Sequence, residues 1–117
     1  MSYVDGFVVA VPTAKKDAYL KLAASVDALF KECGALNVVE CWGDDVPEGK
    51  LTSFPMAVKR KEDESVVFSW IMWPDRATRD EGMKKAMADP KMQAVASADV
   101  FDGQRMIYGG FQTILSL

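Results

Sequence analysis

The sequence contains no histidine among its 117 residues. This absence excludes a Ser-His-Asp or Cys-His nucleophile pair, a histidine-ligated haem and most zinc sites, since each of these depends on imidazole. Any general base in the chain must therefore be an aspartate, glutamate, lysine, tyrosine or cysteine.

Glu40 and Tyr108 are the candidates for moving a proton. Glu40 lies between Val38 and Trp42 on one face of a predicted strand, and burial in such a place makes a carboxylate a stronger base. The alternative is that Glu40 lies at a strand edge or pairs with a lysine or arginine. Tyr108 lies in an apolar stretch close to two glycines and is the second candidate.

Arg76 and Arg79 are the candidates for binding a ligand. They lie at the start of a predicted helix, where guanidinium groups and backbone N–H groups could hold a carboxylate or another anion. The alternative is that both pair with Asp75, Asp80 or Glu81. The apolar wall of a pocket could come from large side chains that otherwise belong to the core, although not all of them can face one cavity: Trp42, Trp70, Trp73, Met83, Met87 and Tyr108.

The remaining reactive groups predict neither a metal nor a cofactor. Cys33 and Cys41 do not form a CxxC motif, and we expect both to be reduced, small buried hydrophobes. Acids Asp44, Asp45 and Glu48 lie in a turn-rich stretch whose spacing matches no EF-hand loop, so solvated turns are the simpler interpretation.

The stretch from residue 66 to residue 85 indicates how these groups are positioned. An apolar run ends at Pro74 and a charged, helix-like run follows, with Asp75 as its expected N-cap. The strand predicted over Glu64–Trp73 is apolar on both faces. Val66, Phe68, Trp70 and Met72 point one way, and Val67, Ser69, Ile71 and Trp73 point the other.

The rest of the chain repeats this pattern of strand and helix. Strands are predicted over residues 3–11, 35–43 and 104–115, and a helix is predicted with Thr13 as its N-cap and Gly34 as its terminator. The second helix ends at Asp89-Pro90, residues 44–55 form a loop, and residues 54–61 form either a short helical turn or an irregular strand. Asp5, in the first strand, is expected to be a solvated or edge charge.

The order strand, helix, strand, strand, helix, strand predicts an α+β, ferredoxin-like βαββαβ fold. Four antiparallel strands carry two helices on one face, in a single domain spanning residues 1–117. The first and third strands are apolar on both faces, and the helices cover only one. The economical solution is a homodimer whose two sheets face each other, a dimeric α/β barrel.

Several stretches resemble the YbaA-like family of small bacterial proteins, a domain of unknown function. They are YVDGFVV at Tyr3, GDDVP at Gly43, TSFP at Thr52, VVFSW at Val66 and RMIYGGF at Arg105. The resemblance implies the dimeric α/β barrel superfamily, which includes antibiotic-biosynthesis monooxygenases, haem-degrading enzymes and small isomerases. It implies no catalytic residue, and the missing histidine argues against haem degradation.

Two functions from different classes remain open. The first is cofactor-independent oxygenase- or isomerase-like chemistry on a small acidic or aromatic metabolite held between sheet and helices. The second is a non-catalytic homodimeric module that binds a metabolite or a protein. A net charge of −3 and dispersed lysines predict no nucleic-acid partner. The chain shows no membrane segment and no signal-peptide pattern, so we expect a cytoplasmic protein.

Overall fold

The computed structural model describes residues 1–117. Its four strands are β1 (Tyr3–Pro12), β2 (Asn37–Trp42), β3 (Glu64–Trp73) and β4 (Ile107–Gln112). Its four α-helices are α1 (Lys16–Glu32), α2 (Phe54–Ala57), α3 (Arg76–Ala88) and α4 (Pro90–Ser97), and short 3₁₀ turns precede α1 and β4. No helix is long and apolar enough to cross a membrane.

The four strands form one antiparallel sheet in the order β2-β3-β1-β4. β1 pairs with β3 over the full length of both strands, from Tyr3 opposite Trp73 to Pro12 opposite Glu64. β1 and β2 run parallel with β3 between them, and β3 and β4 run parallel with β1 between them, as in a split βαβ unit. The predicted ferredoxin-like α+β fold is confirmed.

The two central strands are apolar on both faces, as the alternation predicts. On the helix-covered face, Val9, Val11 and Val67 pack against α1, and Ile71 and Trp73 pack with residues of α1 and α3. On the opposite face, a smaller buried cluster contains Val8, Ala10, Val58 and Val66. Part of the second face is therefore covered by the chain itself.

The helices differ from the prediction in number and in one cap. Thr13 does not cap α1, because its hydroxyl is 2.7 Å from the hydroxyl of Ser65 and a 3₁₀ turn precedes the helix. Asp75 does cap α3, accepting from the backbone N–H of Thr78 at 2.7 Å. After α3 the chain forms a separate helix, α4. Of the two alternatives for residues 54–61, the helical turn is the one that forms, as the short helix α2, which places Phe54 against Phe68 on the opposite face of the sheet.

The expectation for Asp5 is wrong, because Asp5 is buried, with 3% of its surface exposed. Its carboxylate accepts from Trp73 Nε1 at 2.9 Å and from Arg79 Nη2 at 2.8 Å. Asp5 shares the helix-covered face with Tyr3 and Phe7, and α3 brings Arg79 over that face. A buried carboxylate is stable when it is paired and hydrogen-bonded in this way.

Candidate functional site

A cavity of about 160 Å³ lies between the helix-covered face of the sheet and the helices α1 and α4. Seventeen residues line it, and 14 of them are hydrophobic, including Phe7, Phe30, Ile71 and Met92. The other three are Asp27, Glu40 and Ser69. An apolar concave space with a few convergent polar groups is the usual form of a small-molecule site.

Glu40 is the centre of the polar part of the cavity. The hydroxyl of Tyr19 donates a hydrogen bond to Glu40 Oε1 at 2.5 Å. Asp27, two turns further along α1 than Tyr19, lines the same cavity, close enough for its carboxyl group to interact with that of Glu40. One helix thus brings a phenol and a carboxyl group to a second carboxyl group on β2.

The surroundings of Asp27 and Tyr19 raise the pKa of both side chains. Burial, followed by the hydrogen bond to Glu40 and its charge, raises the pKa of Asp27 to about 8. Burial, together with the bond to Glu40, also raises the pKa of the Tyr19 hydroxyl. The Asp27 carboxyl therefore keeps its proton near neutral pH.

The register of the sheet explains why Glu40 meets Ser69 and not Tyr108. Glu40 is opposite Ser69, Ser69 is opposite Phe7, and Phe7 is opposite Tyr108, so the four residues form one row across the sheet. Residues at the two ends of such a row are three strand spacings, about 14 Å, apart. Tyr108 is 73% exposed and its ring stacks on Phe7, so it lies outside the cavity.

The two predicted ligand-binding arginines also lie outside the cavity. Arg79 pairs with the buried Asp5 and, at 2.9 Å, with Asp80. Arg76 is 71% exposed and lies 3.7 Å from Asp80. Both guanidinium groups lie over the ring of Tyr3. Arg76 therefore pairs with a nearby acid, as the alternative interpretation expected. Arg79 pairs mainly with Asp5, which is distant in the sequence and was not among the expected partners.

The large side chains predicted for the wall are divided between different parts of the molecule. Met87 lines the cavity, where 53% of its surface is exposed. Trp42, Trp73 and Met83 pack into the core beside it. Trp70 lies on the opposite face of the sheet, next to Phe68 at a ring distance of 5.7 Å. The aromatic residues of the actual wall are Phe7, Tyr19, Phe30 and Phe101.

Tyr19, Asp27 and Ser69 are the cavity residues with polar groups that the sequence did not mark as candidates. A signal for Asp27 was present, because it is four residues after Ala23 and eight after Tyr19, within the apolar stripe of α1. An acid in such a stripe must be buried or paired. Ser69 shows the same irregularity, as the one polar residue among the helix-facing positions of β3 between Val67 and Trp73.

A second ionic cluster lies at the other end of β3. Arg105 donates to both oxygens of the buried Glu64, at 2.8 and 2.7 Å, and also bonds the backbone carbonyl of Lys59. These bonds hold the pKa of Glu64 at about 2. Arg60 joins Glu48 to the carbonyl of Glu64, so this cluster ties the 44–61 segment to the sheet. No group of three or more Cys, Asp or Glu residues is placed to hold a metal ion.

Comparison with solved structures supports the fold. SnoaB, a cofactor-independent oxygenase from Streptomyces nogalater, superposes with a TM-score of 0.62 at 15% identity, over 99% of this chain and 96% of that chain. A dimeric ferredoxin-like protein from an uncultured marine organism has a TM-score of 0.61 at 10% identity, over the full length of both chains. A NIPSNAP domain protein from Burkholderia xenovorans gives 0.59 at 16% identity, over 95% and 93%.

Comparison of sequences establishes the family. The uncharacterized protein YbaA of Escherichia coli K12 is 58% identical over 115 residues, which is 98% of either chain, and YbaA of Shigella flexneri is equally similar. Residues 2–103 match the model of a family described as a protein of unknown function, DUF1428. The chain therefore belongs to the DUF1428 family, whose members include the YbaA proteins.

Proposed function

We propose that this protein binds a small, mostly apolar molecule in the cavity between α1, α4 and the sheet, and that Glu40 removes a proton from it. The observation that carries the proposal is the hydrogen bond from Tyr19 to Glu40, with the Asp27 carboxyl beside it, inside an otherwise apolar cavity. Neighbouring carboxyl groups in such surroundings are suited to general acid–base work near neutral pH.

The chemistry that fits is cofactor-independent isomerisation or oxidation. In an isomerisation, Glu40 takes a proton from one atom of the ligand and returns it to another, so no further reactant is consumed. In an oxidation, the anion left by proton removal passes its electrons to molecular oxygen. The structural similarity to SnoaB, a cofactor-independent oxygenase, supports the second reaction through the shared fold alone.

The alternative function, a non-catalytic binding module, is less well supported. A filled space between sheet and helices, together with an exposed Glu40, would favour it. The space instead contains a cavity, and Glu40 is half-buried within it. A carboxyl group with a strongly raised pKa inside a cavity, such as Asp27, is more typical of a proton-transfer site than of a binding module.

Filling the cavity tests the proposal. Val95 on α4 lines the cavity, and its neighbour Ala94 is exposed and does not. We expect Val95→Trp to abolish ligand-induced stabilisation in a thermal-shift screen of small aromatic compounds, and Ala94→Trp to leave it intact. Equal stabilisation of both variants by every compound that stabilises the wild type would refute binding at this site, as would a screen in which no compound stabilises the wild type.

We also propose that two copies associate through the sheet face opposite α1 and α3. Large apolar side chains are partly or largely exposed there: Phe54, Phe68, Ile107 and Phe111. The dimeric ferredoxin-like neighbour provides further support. For cellular location we propose the cytoplasm, with both cysteines unpaired as in a reducing compartment. Fractionation of cells that express the protein tests the location.

A further inference from the structure

The polar groups of the cavity restrict the kind of ligand it can hold. The lining contains two acids and one serine but no lysine or arginine. A carboxylate or phosphate on the ligand would find no cation and would face the Glu40 carboxylate. Burying an anion without a partner is costly. The acidic metabolite anticipated from the two arginines therefore does not fit this cavity.

The hydrogen bonds already present in the cavity show which donors and acceptors a ligand must supply. The proton of Tyr19 is directed to Glu40, so the Glu40 carboxylate has acceptor capacity left and no donor to offer a ligand. Ser69 is 7% exposed, lines the cavity, and its hydroxyl has no partner among the hydrogen bonds of the protein. A hydroxyl can both donate and accept.

Ser69 and Glu40 lie directly opposite each other on neighbouring strands. Side chains in such pairs begin about 5 Å apart and point to the same face. A ligand group between them must donate to Glu40, and it must also accept from Ser69 if the Ser69 proton, which bonds no acceptor of the protein, is to find one. A neutral hydroxyl does both, whereas a carboxylate only accepts and an ammonium only donates.

We propose that the ligand is an uncharged aromatic molecule whose phenolic or enolic hydroxyl lies between Glu40 and Ser69. This inference rests on the proposed function and specifies its ligand class. An apolar cavity of this size can hold a benzene ring, and the rings of Phe7 and Phe30 supply its wall. Breaking the ligand O–H bond transfers the proton to Glu40. The ligand oxygen gains the negative charge that Glu40 loses.

Four probes of one shape test the proposal at pH 7 by NMR titration: p-cresol, p-toluate, p-methylbenzylamine and toluene. They present a hydroxyl, a carboxylate, an ammonium and no polar group on the same ring. We expect p-cresol to bind wild type at least about tenfold more tightly than each of the others, since a hydrogen bond to a charged group contributes that much. Resonances of Ser69 and Ile71 should shift.

Two variants test which residues cause the preference for p-cresol. Glu40→Gln should lower p-cresol affinity about tenfold and reduce the gap between p-cresol and p-toluate, because it removes the negative charge. Ser69→Ala should lower p-cresol affinity while leaving that of toluene unchanged. The control Arg76→Ala, an exposed residue outside the cavity, should change neither affinity. Circular dichroism and thermal unfolding confirm that each variant is folded.

The outcomes separate this inference from the proposed function. If p-toluate or p-methylbenzylamine binds as tightly as p-cresol, the hydroxyl assignment is overturned while binding in the cavity stands. If all four bind equally and Val95→Trp abolishes binding, the polar groups do not select the ligand and the inference again fails. If none of the four binds to wild type, the proposed function fails with it.

Discussion

Asp27, Glu40 and Tyr19 are the residues on which the proposed chemistry depends. Each is a common residue type, and none forms a motif with the others in sequence. One apolar cavity brings them together, and in it the Tyr19 hydroxyl donates to Glu40. The raised pKa of Asp27 is a property of this arrangement and has a measurable consequence for stability.

Asp27→Asn is expected to change how stability depends on pH. The folded protein retains the Asp27 proton up to a pKa of about 8, whereas the unfolded chain releases it near 3.8. Between these values the native state binds more protons than the unfolded state, so the stability that the proton provides is lost as the pH rises through this window. Urea midpoints measured across the window should fall with rising pH more steeply in wild type than in Asp27→Asn.

Asp17→Asn is the matched control for this experiment. Asp17 is an exposed acid on the same helix, and its replacement should leave the pH dependence of wild type intact. A slope in Asp27→Asn equal to that of wild type would show that Asp27 does not hold the proton.

Asp5 is a second residue whose burial determines how much unfolding free energy is lost when it is replaced. Asp5→Ala leaves the Arg79 guanidinium, whose side chain is 22% exposed, and the Trp73 N–H without their shared partner. Removing one member of a buried pair costs about 3–5 kcal/mol. We expect a loss of unfolding free energy of this size, measured by urea denaturation with tryptophan fluorescence.

Asp80→Ala provides the comparison, because Asp80 pairs with the same arginine but its side chain is 53% exposed. It should cost less than about 1 kcal/mol. Similar losses in the two variants would mean that the burial of Asp5 has no energetic consequence.

At the scale of elements, the position of α3 depends on a glycine. A Cβ atom on Gly82 would lie 2.5 Å from the ring of Trp73 and 2.6 Å from the backbone carbonyl oxygen of Cys33. The backbone of α3 therefore approaches the end of α1 and the sheet more closely than any other residue permits. This approach places Met83 in the core and Met87 at the cavity.

Gly82→Ala is therefore expected to destabilise the fold although alanine is the better helix former. The gain in helix propensity is about 1 kcal/mol. The overlap with a backbone carbonyl cannot be relieved by a rotamer change, and overpacking of this kind costs about 1–3 kcal/mol or more. A lower thermal midpoint should result. Gly103→Ala, where a Cβ meets nothing within 4 Å, should leave the midpoint nearly unchanged. A Gly82→Ala variant more stable than wild type would contradict this view of the contact.

At the scale of the whole molecule, the two faces of the sheet differ. The helices α1, α3 and α4 cover one face, and much of the other face is exposed. The segment around α2 covers the end near Val8 and Val66. The remainder presents Phe68, which is 42% exposed, and Phe111, which is 63% exposed. Large apolar side chains exposed on one face of a sheet are typical of an interaction surface.

Phe68→Glu should convert the proposed homodimer into a monomer. A charge at the centre of an apolar interface is buried without a partner when two copies meet, and this opposes association. Sedimentation should give a mass near 12.9 kDa for the variant and about twice that for wild type. Leu20→Glu is the control, because Leu20 is 49% exposed on α1 and lies away from this face. A wild-type mass of 12.9 kDa at micromolar concentration would rule out the dimer.

Much of this architecture was contained in the sequence. The alternation of apolar residues assigned both faces of β1 and β3, Asp75 and Pro74 marked the start of α3, and the order of elements predicted the sheet. Glu40 was correctly placed on the face shared with Val38 and Trp42. These features depend on backbone geometry that repeats every two or 3.6 residues, and that periodicity is visible in any stretch of chain.

Only the tertiary structure decided which distant side chains meet. Asp5 and Arg79 are 74 positions apart, and Tyr19 and Glu40 are 21 positions apart. Periodicity assigns a residue to a face but does not specify which residue of another element packs opposite it. That depends on sheet register and on how closely each helix approaches. For this reason Arg79 belongs to the core, Tyr108 to the sheet edge, and the acid pair to Asp27 and Glu40.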